Sequence, residues 1–282
     1  MDTGATLYVV ATPIGNLEDI SARAIRVLGE VDLIAAEDTR HSARLLDHLG
    51  ITTPMMAYHD HNERERSGRL LDRVDAGENI ALISDAGTPL ISDPGYHLVS
   101  EARRRGVKVV PVPGASAIIA ALSVAGLPSD RFQFEGFLPA KRGARRQCIE
   151  RLASCESTWI FYESTHRILD CMEDLAEVLG GERELVIARE ISKTFETVRG
   201  GAVAEVLAWM RGDSNQQRGE FVVLVRGAPA RAAEEGVDPE VQRMLEILLE
   251  ELPLKQASTL VSQISGVRKK ALYQLALELK GG

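Results

Sequence analysis

Strand-length apolar runs recur along the first half of the chain, and helix-patterned stretches separate them. LYVVAT (7–12), VDLIAAE (31–37), NIALISD (79–85) and VKVVPVPG (107–114) are each too short to be buried helices. SARAIRVLGE (21–30), TRHSARLLDHLG (39–50), NERERSGRLLDRVDAG (62–77) and YHLVSEARRRG (96–106) carry apolar residues at helical spacing. Continuous apolar strands that alternate with helices predict a mainly parallel sheet covered on both faces. The apolar helix ASAIIAALSVAG (115–126) closes this part.

The texture changes after Gly126. RFQFEGFLP (131–139) alternates, STWIFYES (157–164), ELVIARE (184–190) and EFVVLVRG (220–227) read as strands, and FETVRGG (195–201) reads as a hairpin partner. Helices are expected at 144–155, 166–180 and 202–210. This predicts a second α/β domain with some antiparallel pairing. APARAAEEGVDP (228–239) has linker composition, and the rest reads as three short helices. The expected domains are 1–126, 127–228 and a linker with a small helical unit over 229–282.

Bulk properties exclude several classes. No apolar run approaches the roughly 18 residues of a membrane span. The opening MDTGATLYVVATP has no basic stretch ahead of an apolar one, so no secretory leader is expected. Cys148, Cys155 and Cys171 are odd in number and lack CxxC spacing, which predicts a reducing, cytoplasmic setting and no disulfide or zinc framework. A net charge of −8 excludes a uniformly basic coat, but not a local basic patch.

In a parallel sheet, ligands sit beyond the carboxyl ends of the strands. Four loops share that address. ATPIGNLEDIS (11–21) is not GxGxxG, and no GxxxxGK[ST] occurs, so a nucleotide phosphate cradle is poorly supported. AEDTRHSARLL (36–46) offers Glu37, Asp38 and Arg40, with Thr39 or Asp38 as helix cap; a cap with a surface ion pair explains it as well as a charged wall facing a substrate does. SDAGTPLISDPG (84–95) is a shaped loop without Lys or Arg, which disfavours phosphate. Asp85 and Asp93 lack partners at ligand spacing, so no metal is expected, and a sulfonium or amine fits better. Asp93 could equally cap the helix that follows. VPGASAIIAAL (112–122) places small residues where a flat ligand, or merely the sheet, could approach.

Two further clusters stand out. His59, His61 and Asn62 suit a solvated loop better than a metal site. Lys141, Arg142, Arg145, Arg146 and Arg151 crowd one predicted helix, and such a patch can neutralise RNA phosphates or simply be a solvated face. Arg268, Lys269 and Lys270 form a weaker patch.

In this order and spacing, LYVVATPIGNLEDIS, AAEDTRHSARLLDHLGI, ALISDAGTPLISDPG, VVPVPGASA and FEGFLP resemble the ribosomal RNA small-subunit methyltransferase I family, within the tetrapyrrole-methylase-like methyltransferases. The resemblance extends to LPLKQASTLVSQISGVRKKALYQLALEL at the far end. It implies two α/β domains with S-adenosylmethionine in the cleft between them, and usually a homodimer. It implies 2′-O-methylation of a cytidine ribose in the decoding region of 16S ribosomal RNA, within the assembled 30S subunit. Carried over, the cofactor contacts are Pro13, Asp85, Thr88, Ser92, Ala115 and Ser116, with Phe161 and Tyr162 flanking the adenine. The alternative is a small-molecule, tetrapyrrole-type methyltransferase. The porphyrin-modifying relatives carry a glycine-rich first loop and Gly-Asp-Pro in the third; ATPIGN and Ser-Asp-Ala-Gly-Thr-Pro favour the RNA branch.

A ribose hydroxyl is a poor nucleophile at neutral pH and needs a base or a stabilising cation. Lys193 and Glu190, just past a strand end, are the favoured catalytic residues, with Glu37 and Arg40 as further candidates. Asp38, His59, Tyr162, Glu163 and Arg189 also fall at strand ends. Lys141, Arg142, Arg145 and Arg146 are the expected RNA contacts.

Overall fold

The computed structural model describes residues 4–59, 63–229 and 239–281. His61 and Asn62, and most of the expected linker, lie outside the described residues. Two compact units result, Met1–Gly227 and Ala228–Gly282.

The larger unit holds two five-stranded sheets. In the first, β1 (Thr6–Val10), β2 (Leu33–Ala36), β3 (Met55–Ala57), β4 (Ile80–Ile83) and β5 (Lys108–Val112) run in the order β3-β2-β4-β1-β5, all parallel. The helices α1 (Ala22–Glu30) and α2 (Thr39–His48) bury Ala24, Val27, Leu28 and Leu46 on one face, against Val10, Ile34 and Ile83. The helices α3 (Glu63–Asp75) and α4 (Tyr96–Arg104) bury Leu70, Leu71, Val74 and Leu98 on the other, against Leu7, Leu33 and Leu82. The neighbours β1 and β4 send their chains in opposite directions on opposite faces. That switch opens a crevice at their carboxyl ends.

The second sheet runs β6-β7-β10-β8-β9. Here β6 (Phe132–Phe137) is parallel to β7 (Thr158–Ser164), while β10 (Glu220–Val225) is antiparallel to both β7 and β8 (Glu184–Arg189), and β9 (Thr197–Ala202) completes a hairpin with β8. One face packs under α6 (Arg142–Leu152), α7 (Ile168–Leu179) and α8 (Val203–Gly212), burying Trp159, Phe161, Phe221 and Val223. The other face is covered by α5 (Ala117–Ala125), whose Ile118, Ala121 and Leu122 pack on Ile160, Val186, Val222 and Leu224. Thus α5 follows the first sheet in sequence but covers the second. A helix so uniformly apolar gives no sign of which sheet it serves.

In the smaller unit, α9 (Pro239–Glu251), α10 (Leu254–Ser265) and α11 (Lys269–Gly281) enclose Leu245, Ala257, Val261, Leu272 and Ala276. Gly266, in the left-handed region at φ 73°, turns α10 toward α11. Among the described residues no helix is long and apolar enough to cross a membrane.

Candidate active site

The loops beyond β1, β4 and β5 are tied to one another. Thr12 and Gly87 exchange backbone hydrogen bonds of 2.8 and 3.1 Å, and Thr12 Oγ1 donates to the Ser84 carbonyl at 3.2 Å. Thr88 Oγ1 donates to the Ala115 carbonyl at 3.0 Å. At Gly114 a Cβ would lie 2.8 Å from that of Ala11, so only glycine lets these loops close. Leu90 and Ser92 hold positive φ values of 74° and 66°, a conformation that costs free energy and concentrates at functional sites. Among the described residues, the other non-glycine positive φ values are those of Glu190 (52°) and Ser192 (69°), on the facing loop after β8.

Between these loops and the second sheet lies a cavity of about 340 Å³. Thr88, Ser92, Asp93, Ser116 and Ala117 line it from the first side; Phe137, Tyr162, Glu163, Ala188, Ile191, Glu220 and Val222 line it from the second. Its lining carries three carboxylates and no Lys or Arg. Ser116 precedes α5 without capping it through its side chain, so its hydroxyl is left to the cavity. Tyr162 stands in edge contact with Phe134, ring centres 5.0 Å apart. Burial, reinforced by the charge of Asp93, pushes its phenol up to about 12, so it stays a neutral donor.

Charge at the second wall is ordered in two pairs. Glu163 pairs with Arg167 at 2.8 Å, and Arg167 also donates to the Leu138 carbonyl. Lys193 Nζ lies 2.7 Å from Glu220 Oε2 and 3.0 Å from Glu190 Oε1. Glu190 Oε1 also accepts from the Glu220 backbone N–H at 2.9 Å. Burial opposes the Lys193 charge, but the bonds to Glu220 and Glu190 outweigh it and hold the ammonium above its ordinary range. For Glu190, burial is likewise outweighed, here by the Glu220 N–H and Lys193, and its carboxyl is held low. The Lys193 stem crosses Gly15 of the first loop so closely that a Cβ there would sit 2.4 Å from Lys193 Cγ.

Thr88, Ser92, Ser116 and Tyr162 therefore meet at the cavity, whereas other expected contacts do not. Phe161 is a correction: adjacent strand residues point to opposite faces, and Phe161 is fully buried on the helix-covered face, stacked on Trp159. Asp85 is turned away, its Oδ1 accepting from the Asp38 N–H at 3.0 Å. Pro13 is buried beside Ile14, which does line the cavity, and Ala115 takes part through its carbonyl. Glu37 accepts from the Asp85 N–H at 3.4 Å, Arg40 is exposed on α2, and neither lines the cavity. Arg189 is buried and bonds the Arg218 and Phe195 carbonyls.

The expected basic patch is also corrected. Arg145, 3% exposed, pairs with the fully buried Asp174 at 2.6 Å. Arg142 reaches Asp174 and Glu177 at 2.9 Å, and Arg146 pairs with Glu177. These arginines clamp α6 to α7; Lys141 and Arg151 are exposed and in no ion pair among the described residues.

Two residues escaped the sequence reading. Glu220 opens an apolar strand, and only antiparallel pairing of β10 brings a strand's first residue to the carboxyl ends of β7 and β8. Glu63, at the start of α3, accepts from the Gly95 and His97 N–H groups at 2.9 and 3.0 Å and from the Tyr58 hydroxyl at 3.1 Å. It thereby does the capping of α4 offered to Asp93.

The fold and cavity define a class: residues 6–207 match the family of Tetrapyrrole (Corrin/Porphyrin) Methylases. The solved methyltransferase CobJ is similar at 18% identity, with a TM-score of 0.58 over 83% of this chain and 98% of that one. A Thermus thermophilus uroporphyrin-III C-methyltransferase, solved with S-adenyl homocysteine, gives 0.51 at 18% identity over 78% and 97%. Residues 235–280 match the RsmI C-terminal HTH domain. The Ribosomal RNA small subunit methyltransferase I of Pseudomonas aeruginosa is 60% identical over 279 residues, 99% of each chain. The chain belongs to the ribosomal RNA small subunit methyltransferase I family.

Proposed function

We propose that this chain uses S-adenosylmethionine to methylate the 2′-hydroxyl of a cytidine ribose in the decoding region of 16S ribosomal RNA. Methyl transfer to ribosomal RNA is the activity its relatives are named for, and S-adenosylmethionine is the donor used by methyltransferases of this fold. The observation that carries the hydroxyl as acceptor is the cavity itself. A hydroxyl-bearing wall, Thr88, Ser92 and Ser116, faces a wall where Lys193 holds Glu220 at the edge.

The residues present fit the donor. A volume of about 340 Å³ falls within the roughly 300–1,000 Å³ of small-molecule sites. A lining with carboxylates and no cations suits a sulfonium and repels a phosphate. Tyr162 and Phe137 offer a shelf for a flat base, and Thr88, Ser92 and Ser116 offer polar contacts. When bound, the cofactor supplies an electrophilic methyl group. The protein's task is then to position the ribose and take its proton. Glu220 Oε2 accepts that proton in this reading. Lys193, kept charged by two carboxylates, cannot be the base; it aims Glu220 and steadies the developing oxyanion. Glu190 anchors Lys193.

The reading includes action on the assembled 30S subunit, a homodimer, a cytoplasmic location, and domains at 1–126, 127–228 and 229–282. Incubating the protein with methyl-labelled cofactor and 30S subunits, free 16S RNA or a porphyrin precursor tests it. Label is expected in 2′-O-methylcytidine from subunits lacking that mark. Label in the porphyrin alone would return the small-molecule alternative.

A further inference from the structure

Arg142, Arg145 and Arg146 of α6 are held by α7, so an RNA-modifying enzyme of net charge −8 needs cations beyond that cluster. On α2, Arg40, Arg44 and His48 recur every four residues with His41 beside them, and all four are exposed. Ser42 and Leu46 bury the opposite side. Among the described residues neither arginine is in an ion pair, whereas Arg105 on α4 is held by Glu101, Asp72 and Asp75. Two acids flank the strip: the Asp38 carboxylate is committed to the Arg40 and His41 N–H groups at 2.8 and 3.3 Å, and Asp47, exposed on the same helix, makes no ion pair with Arg44. Four residues of helix rise about 6 Å, so the strip is a row of basic side chains at regular spacing.

The strip also runs from the right place. It starts four residues after β2 ends, and the Asp38 N–H donates to Asp85. Asp85 adjoins Ala86, which lines the cavity. A strand entering the cavity with its ribose would therefore have the outward face of α2 beside it.

We infer that the exposed face of α2, centred on Arg40 and Arg44, is a phosphate-tracking surface that carries the RNA strand flanking the target nucleotide. The inference rests on the proposed RNA substrate and adds where that substrate is held. The ligand chemistry it fits is that of a polyanion: two permanent guanidinium charges that are in no ion pair among the described residues.

The test uses the full chain and unmethylated 30S subunits, with binding followed against KCl concentration. Arg40→Ala with Arg44→Ala is expected to weaken binding about tenfold and lower the salt slope by about 1.5, at about 0.7 per lost single-strand phosphate contact. Cofactor affinity by calorimetry and the thermal melt should stay unchanged, since both residues are exposed and neither lines the cavity. Arg44→Glu should weaken binding further. An unaltered salt slope in folded, cofactor-binding protein overturns the inference. So does a photo-crosslinker at residue 48 that labels a ribosomal protein instead of RNA. If the unaltered enzyme transfers no label to 30S subunits, the proposed substrate fails; if it does and the double variant matches it in affinity and slope, only the α2 surface fails.

Discussion

Two ionic clusters in the second α/β half pair cations with carboxylates in opposite surroundings. Between α6 and α7, Arg145 and Asp174 are 3% and 0% exposed, and Arg142, Arg146 and Glu177 close the group outward. At the cavity edge, Lys193 is 29% exposed and its partner Glu220 is 83% exposed. The Arg145–Asp174 pair at the centre of the first cluster is sealed, so those charges can only hold the fold. The second is open at one end, and its carboxylate can meet a ligand without leaving an ion buried alone. What separates structural from chemical charge here is whether one partner still faces solvent.

The largest effect should come from breaking the sealed cluster. Arg145→Ala strips the fully buried Asp174 of its buried partner and leaves it only the solvent-facing Arg142, and losses of this kind cost up to about 3–5 kcal/mol. Urea denaturation should show that loss, and a cost under about 1 kcal/mol would mean the pair is not sealed. Cofactor affinity of the folded fraction should be unaltered, because no α6 residue lines the cavity.

Next comes the open cluster. Glu220→Gln keeps the size and the hydrogen-bonding reach but removes the proposed base, and kcat should fall about 100-fold, about 2.7 kcal/mol of barrier. Stability should change little, as expected for an exposed pair. Lys193→Ala should also lower kcat, with Lys193→Arg restoring part of it, while the KM for the cofactor stays put. Full activity in Glu220→Gln would remove the proton role from this edge.

The pH behaviour sharpens the contrast further. Glu190 has its folded pKa depressed below 4.5, so its stabilisation is present above that value and is lost as pH falls through the lower, folded value. Lys193 has its folded pKa raised above 10.5, so its share is complete below that value and fades as pH rises through the folded one. The coupling between Lys193 and Glu190 in a double-mutant cycle should therefore be flat between these limits and collapse outside them. A coupling that changes near neutrality would indicate another titrating partner.

Much of this was legible in the sequence, because βα alternation fixes a parallel sheet and the ligand address follows from it. The third loop was recognisable as a site by its prolines, glycines and lack of cations, and Thr88, Ser92, Ser116 and Tyr162 do line the cavity. Illegible parts depended on partners distant in sequence. Arg145 looks like a surface cation until α7 brings Asp174 against it. Glu220 looks like a strand's polar start until antiparallel pairing carries it to the cavity. Glu63 caps α4 from another helix, a bond that local capping rules do not anticipate. Phe161 is different: strand alternation already set it opposite Tyr162.

The smallest effect concerns the sealed cluster's outer members. Arg142 is 60% exposed and Arg146 is 38% exposed, and both share the half-exposed Glu177. Exposed pairs are worth about 0–1 kcal/mol, so Arg146→Ala should shift stability by less than about 1 kcal/mol. Its RNA salt slope should equal that of the unaltered protein, because Glu177 already neutralises this charge. A slope reduced by about 0.7 would mean that Arg146 releases Glu177 to bind phosphate. The α6 patch would then be a reserve of cations that RNA draws out, and the division between sealed and open clusters would fall at Arg145 rather than at the helix as a whole.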